Sequence, residues 1–146
     1  MAEVDRDALI ATLNTLLEAE RAGARVGAAL EKEAAGGGYA ALTHTIHADE
    51  IRWARALYEA VRALDAEPSD KVGDFYEKAM AIEGLEARLA FVNRGQGWVV
   101  RKLRELLPAV SDAPLKATLQ EMLDAHVVNI NIANDALARA QTGAAR

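Results

Sequence analysis

The sequence predicts an all-α fold, an antiparallel four-helix bundle, on three observations. Ala, Leu, Glu and Arg dominate the composition, and all four are strong helix formers. Apolar residues recur at steps of three and four through four long stretches, the period of one helix face, while the alternation of a half-buried strand is absent. The three prolines, Pro68, Pro108 and Pro114, all fall between such stretches. The 146 residues, 51% of them hydrophobic, suit one domain with its own core, and residues 1–146 read as a single domain without linker or repeat.

The first helix is expected from Asp5, as N-cap, to Ala34, with Gly36–Gly38 ending it. Its stripe runs Leu9, Leu13, Leu16, Glu20, Gly23, Gly27, Leu30. Glycine inside a helix costs about 1 kcal/mol relative to alanine, so Gly23 and Gly27 point to a close neighbour. The second helix spans Tyr39 to Ala66 with the stripe Leu42, Ile46, Glu50, Trp53, Leu57, Val61, Leu64; Pro68 forbids continuation and Ser69 caps the next segment.

The third segment, Asp70 to Leu107, carries its clear stripe from Ile82 onward: Leu85, Leu89, Val92, Gln96, Val99, Leu103, Leu107. Gly73 and Gly84 weaken its start, which predicts a short helix near Asp70–Met80 ahead of a longer one. The fourth helix is expected from Ser111, as N-cap, to Gln141, with Asp112 at the positive end of its dipole. Its stripe is Leu115, Leu119, Met122, His126, Ile130, Ala133, Leu137. Short connections between long helices imply antiparallel neighbours.

Composition removes several function classes. A net charge of −5 with 27% charged residues argues against nucleic acid as a partner, and Glu105 breaks the one basic run, Arg101–Lys102–Arg104. The absence of cysteine excludes disulfides, zinc–thiolate sites and thiol catalysis. No apolar run approaches the roughly 20 residues of a membrane span, and MAEVDRDALI lacks a signal-peptide pattern, so the expected location is cytoplasmic. No phosphate-binding glycine loop, activated serine or zinc-protease motif is present.

The informative residues are polar ones on apolar stripes. Glu20, Glu50, Gln96 and His126 each lie near the middle of a helical stretch, where an unpaired carboxylate or imidazole is expensive to bury. In antiparallel helices, midpoints meet at one depth, so the four are expected to form one cluster. Glu20, Glu50 and His126 make a ligand set for one transition metal, with Asp49 and His47, which flank Glu50, as candidate extra ligands. Gln96 and Asn129 would then be donors that orient the carboxylates. The alternative is a metal-free polar network, with protonated His126 bridging the two glutamates, in a structural or protein-interaction module.

Bundles that bind two metals draw one glutamate from each of two helices and a Glu-x-x-His pair from each of the others. This chain resembles the ferritin-like, rubrerythrin-like superfamily in that respect. Glu20 in LLEAERAG and Glu50 in HADEIRW match the glutamates of the first two helices, and His126 matches the fourth-helix histidine. Trp53 stands where a histidine is expected, Gln96 in NRGQGW where a glutamate is, and Leu123 three residues before His126. LLEAERAGAR, DEIRW and FVNRGQGWVVRKLREL also look like a bacterial ferritin-like family of unassigned activity. The resemblance implies a ferritin-like fold with a degenerate site, holding a single iron or manganese ion at most, and oxygen or peroxide chemistry if it is active.

Weaker candidates are His44 with His47, one helix turn apart; Glu83 and Glu86 near a helix start; and Arg94, one step off the stripe beside Gln96. Gly95 and Gly97 bracket Gln96, and Trp98 stands next to them, off the stripe. An exposed tryptophan among small residues marks an interface, so Gly95, Gly97 and Trp98, with Gly23 and Gly27, are the expected homodimer contact.

Overall fold

A computed structural model of the chain describes residues 3–142, and every regular element among them is helical. The elements are α1 (Glu3–Ala34), α2 (Ala40–Ala63), α3 (Phe75–Met80), α4 (Leu85–Leu106) and α5 (Ala113–Gln141), with a 3₁₀ turn at Leu107–Ala109. No helix among the described residues is long and apolar enough to cross a membrane.

The helix ends show where local chemistry overrode the pattern. Asp5 is not a cap, since α1 is already helical at Glu3. The second helix stops at Ala63, short of Ala66, because Asp65 turns left-handed (φ 56°). There the Asp65 N–H donates to the Arg62 carbonyl at 3.0 Å and the Ala66 N–H to the Val61 carbonyl at 3.2 Å, which closes the helix end. Residues 70–74 are not helical, and the short helix begins only at Phe75. Gly73 (φ 76°) and Gly84 (φ 94°) adopt a backbone that side chains disfavour; Gly73 lies just before α3, and Gly84 lies in the break between α3 and α4. The cap of α5 is Asp112, whose carboxylate accepts the Leu115 N–H at 2.9 Å; Ser111 lies outside.

The long helices pair in opposite directions. Arg6 donates to the Leu64 carbonyl near one end of α1 and α2, and Glu31 meets His44 near the other. Asn93 of α4 donates to the Ile130 carbonyl (3.3 Å) and the Asn134 amide oxygen (2.9 Å) of α5. The α1–α2 pair lies against the α4–α5 pair, and the segment between α2 and α4 straps across α1. Ser69 anchors the strap: its N–H donates to Asn14 at 2.7 Å, its hydroxyl to Glu18 at 2.6 Å, and its carbonyl accepts Arg21.

The core falls into two apolar bodies. One gathers Leu13, Leu16, Trp53, Leu57, Val99, Leu103, Leu119 and Met122. The other gathers Val26, Leu30, Leu42, Ile46, Leu89, Val92 and Ala133. Along each long helix the buried polar residue sits between the stretches that feed the two bodies: Glu20, Glu50, Gln96, His126. The fold therefore places one polar layer at mid-height.

Candidate metal centre

Each member of the layer is held on an apolar stripe by its neighbours. Leu16 and Leu17 precede Glu20 on α1, Ile46 and Trp53 flank Glu50 on α2, and Met122 and Leu123 precede His126 on α5; all are buried. Packing of these residues fixes the rotation of each helix and so carries the polar groups inward. Glu20 (1% exposed), Glu50 (4%), Gln96 (5%) and His126 (2%) are deeper than charged groups ordinarily go.

Glu20, Glu50 and His126 converge, with one potential ligand atom from each lying within 4.8 Å of the others. His126 Nε2 stands 2.8 Å from Glu20 Oε1. Close as they are, neither atom reaches hydrogen-bond geometry with any partner among the described residues. The other ring nitrogen, Nδ1, donates to the Met122 carbonyl at 2.9 Å. That bond orients the ring and, in neutral imidazole, leaves Nε2 as the lone-pair atom facing the carboxylates. A second-nitrogen bond to a backbone carbonyl is the usual support of a metal-binding histidine.

The carboxyls carry the electrostatic cost of this depth. Burial pushes Glu20 up to about 7; hydrogen bonding to Glu50 works against the rise and the charge of Asp49 adds to it. Burial also holds Glu50 well above the ordinary carboxylate value; Glu20 adds by charge and hydrogen bonding, and His126 opposes it. Near neutral pH the two therefore retain a proton that a cation would displace. Two carboxylates and one imidazole are hard-to-borderline donors suited to iron or manganese. Orphaned Glu20 Oε1 and His126 Nε2 are the atoms such an ion would satisfy, so the residues present fit one metal.

Gly23 makes the arrangement possible. A Cβ there would lie 2.3 Å from Glu50 Oε2, so the glycine clears space for the carboxylate itself. Gly27 serves helix approach instead, since its Cβ would sit 2.9 Å from the His47 Cα of α2. A Cβ on Gly95 would meet Phe75 of α3 at 2.9 Å. These three glycines, expected at a homodimer contact, thus face partners within the chain, while Gly97 meets only the Arg101 side chain, at 3.6 Å. Trp98 is half-buried against the core rather than exposed, with Lys102 above its ring at 5.7 Å.

A family model described as a domain of unknown function (DUF6306) matches residues 7–136. The chain belongs to this DUF6306 family. The matched span takes in every member of the polar layer. No curated protein and no solved structure matches the chain.

The other expected site residues of this DUF6306 chain go elsewhere. Asp49 is half-buried and accepts the Asn129 amide at 2.7 Å. Asn129, expected to orient the site carboxylates, therefore holds the neighbour of Glu50 instead. His47 turns to Glu31, with its Nδ1 2.8 Å from Oε1, and His44 shares the same carboxylate at 2.6 Å. Glu86 accepts the Tyr39 hydroxyl at 2.7 Å, Glu83 is exposed, and Arg94 is exposed with its guanidinium 5.7 Å from the Phe91 ring. Gln96 reaches the layer, but its Oε1 is buried without a hydrogen-bond partner among the described residues. Trp53 is core, and its indole nitrogen likewise lacks a partner among the described residues.

Sequence reasoning missed the approach to the site. A pocket of about 520 Å³ runs from exposed Thr15, Gly73, Asp74 and Lys78 down to buried Glu20, Glu50 and Gln96. The signal for it was weak: Gly73 and Gly84 foretold the break in the third segment, but not that the strap would frame a mouth.

Proposed function

We propose that the protein is a degenerate ferritin-like four-helix bundle, formed by α1, α2, α4 and α5, that holds a single iron or manganese ion through Glu20, Glu50 and His126. The observation that carries this reading is the convergence of three buried ligand atoms within 4.8 Å, two of them without hydrogen-bond partners among the described residues. The Met122 carbonyl would fix the His126 ring, and Gly23 would keep the Glu50 carboxylate in place. Such an ion supplies redox and Lewis-acid chemistry toward oxygen or peroxide. The residues' own part is to bind it, exclude bulk water with two apolar bodies, and leave one approach through the pocket.

The second reading is a metal-free layer in which Glu20 and Glu50 share a proton beside His126; the raised carboxyls favour it. Anaerobic Fe(II) and Mn(II) titration of chelator-treated protein separates the two. Saturation near one ion per chain, lost in His126→Ala, is the expected result. Absence of saturable binding sinks the metal reading and leaves a structural polar layer.

A further inference from the structure

A second carboxylate–histidine set lies outside the polar layer, on the surface of the α1–α2 pair. Gly27 brings the two helices close there, since a Cβ on it would meet the His47 Cα at 2.9 Å. Glu31 follows Gly27 by one turn of α1, and His44 and His47 are one turn apart on α2. Both imidazoles turn to the one carboxylate, each to a different oxygen. His44 Nδ1 lies 2.6 Å from Oε2, and His47 Nδ1 lies 2.8 Å from Oε1. Among the described residues these histidines are the only ion-pair partners of Glu31; no lysine or arginine competes for it. His44 is largely exposed, and His47 and Glu31 are partly so. An ion could therefore reach the group from solvent.

We infer that Glu31, His44 and His47 form a surface site for one divalent ion of the imidazole-preferring kind, Zn(II), Ni(II) or Cu(II). Two imidazoles and a carboxylate are donors these ions take, with water in the remaining positions. Side chains one turn apart leave the helix about 5–6 Å from each other, close enough for both rings to reach one ion. In the buried trio the ligand atoms already lie within 4.8 Å of one another. On the surface the ion itself would draw the three together, and exposed His44 is free to rotate toward it. A neutral imidazole that donates Nδ1–H to Glu31 moves that proton to Nε2, and the freed Nδ1 lone pair binds the ion. The two sets differ in preference. Two carboxylates and one imidazole suit Mn(II) or Fe(II), whereas two imidazoles favour the later ions; Mn(II) and Fe(II) are the weakest binders in the divalent series.

The test is Zn(II) uptake by the chelator-treated full chain in equilibrium dialysis near neutral pH, compared with His44→Ala/His47→Ala. The double variant is expected to bind one Zn(II) fewer per chain than the parent, with the same helicity and the same Mn(II) uptake. The parent takes two Zn(II) if the polar layer also accepts the ion and one if it does not. The difference is one in either case, so this site is scored independently of the reading of the layer. Glu31→Gln, which keeps the shape and removes the charge, should weaken the same site about tenfold. Equal Zn(II) uptake by the double variant and the parent overturns the inference, as does parent-like affinity in Glu31→Gln. Loss of Mn(II) uptake in the double variant would also overturn it, by assigning these histidines to the layer.

Discussion

Two carboxylate–histidine groupings in this molecule have similar contact distances and opposite electrostatics. Glu31 meets His44 at 2.6 Å and His47 at 2.8 Å on the surface of the α1–α2 pair. Glu20 meets His126 at 2.8 Å in the polar layer. Hydrogen bonds from His47 and then His44 hold Glu31 below the ordinary carboxylate value. Burial pushes Glu20 up to about 7. Distance does not decide the difference; access to water does. On the surface, water solvates both partners and the imidazoles merely tilt the balance. In the layer, nothing but the cluster itself can stabilise the charge, so burial favours the protonated carboxyl.

The sharpest way to break the comparison is to remove one carboxylate from each grouping. Glu50→Leu should reduce bound Mn(II) from about one per chain to background in equilibrium dialysis. It should also abolish the metal-dependent rise in stability, which is about 2.7 kcal/mol at a hundredfold excess over Kd. Glu31→Leu should leave both readouts unchanged. Equal metal binding by Glu50→Leu and the parent would show that the buried group is not a ligand.

The pH profile of chelator-treated protein tests the opposite shifts directly. Glu20 and Glu50 have raised values in the fold, so folding favours their protonated forms. Their contribution is fully present below the unfolded value of 4.5 and is lost as pH rises through the folded values, about 7 for Glu20 and well above the ordinary carboxylate value for Glu50. For Glu20 alone the span is on the order of 3 kcal/mol. Glu31 behaves in reverse: its contribution is present above the ordinary value and is lost as pH falls through its lowered one. Thermal melts from pH 4 to 8 should decline toward the alkaline side, and Glu20→Gln should flatten that limb. An unchanged slope in Glu20→Gln would mean that burial is not what shifts the carboxyl.

How much of this was legible in the sequence depended on whether a feature arises from spacing or from a rotamer. The helices were legible, as was the common depth of Glu20, Glu50, Gln96 and His126, because period and midpoint are properties of the chain. The irregular start of the third segment was legible at Gly73, just before α3, and at Gly84, between α3 and α4, both of which adopt positive φ. The pairing of Asn129 with Asp49, and the turn of His47 toward Glu31, were not. Each depends on which way a side chain leaves its helix, and residues one turn apart have several partners within reach. Asp65 hid the end of α2 for a related reason: aspartate tolerates the left-handed conformation without requiring it.

The two α1 glycines sharpen the contrast between site and scaffold. A Cβ at Gly23 meets the far end of a flexible side chain, Glu50, at 2.3 Å, whereas a Cβ at Gly27 meets backbone at 2.9 Å. Gly27→Ala should therefore force the helices apart and cost about 1–3 kcal/mol in urea melts. Gly23→Ala should cost less in metal-free protein, because alanine regains up to about 1 kcal/mol of helix propensity while the carboxylate swings aside. It should nevertheless weaken Mn(II) binding at least as much as Gly27→Ala does. A Gly23→Ala variant with unaltered metal affinity would separate Glu50 from the site.

The smallest effect belongs to the surface grouping. His44 is 73% exposed and Glu31 about a third exposed, so water and salt screen their attraction and each free side chain keeps its own hydration. His44→Ala should shift the melting temperature at pH 7 by no more than a few degrees and should leave Mn(II) stoichiometry untouched. The residual shift should shrink further in 0.5 M salt, where the Debye length falls to roughly 4 Å. The Glu20–His126 contact, with both side chains at most 3% exposed, should keep its contribution in the same salt. A salt response of equal size in both places would mean that solvent reaches the layer, and the contrast between the two groupings would be lost.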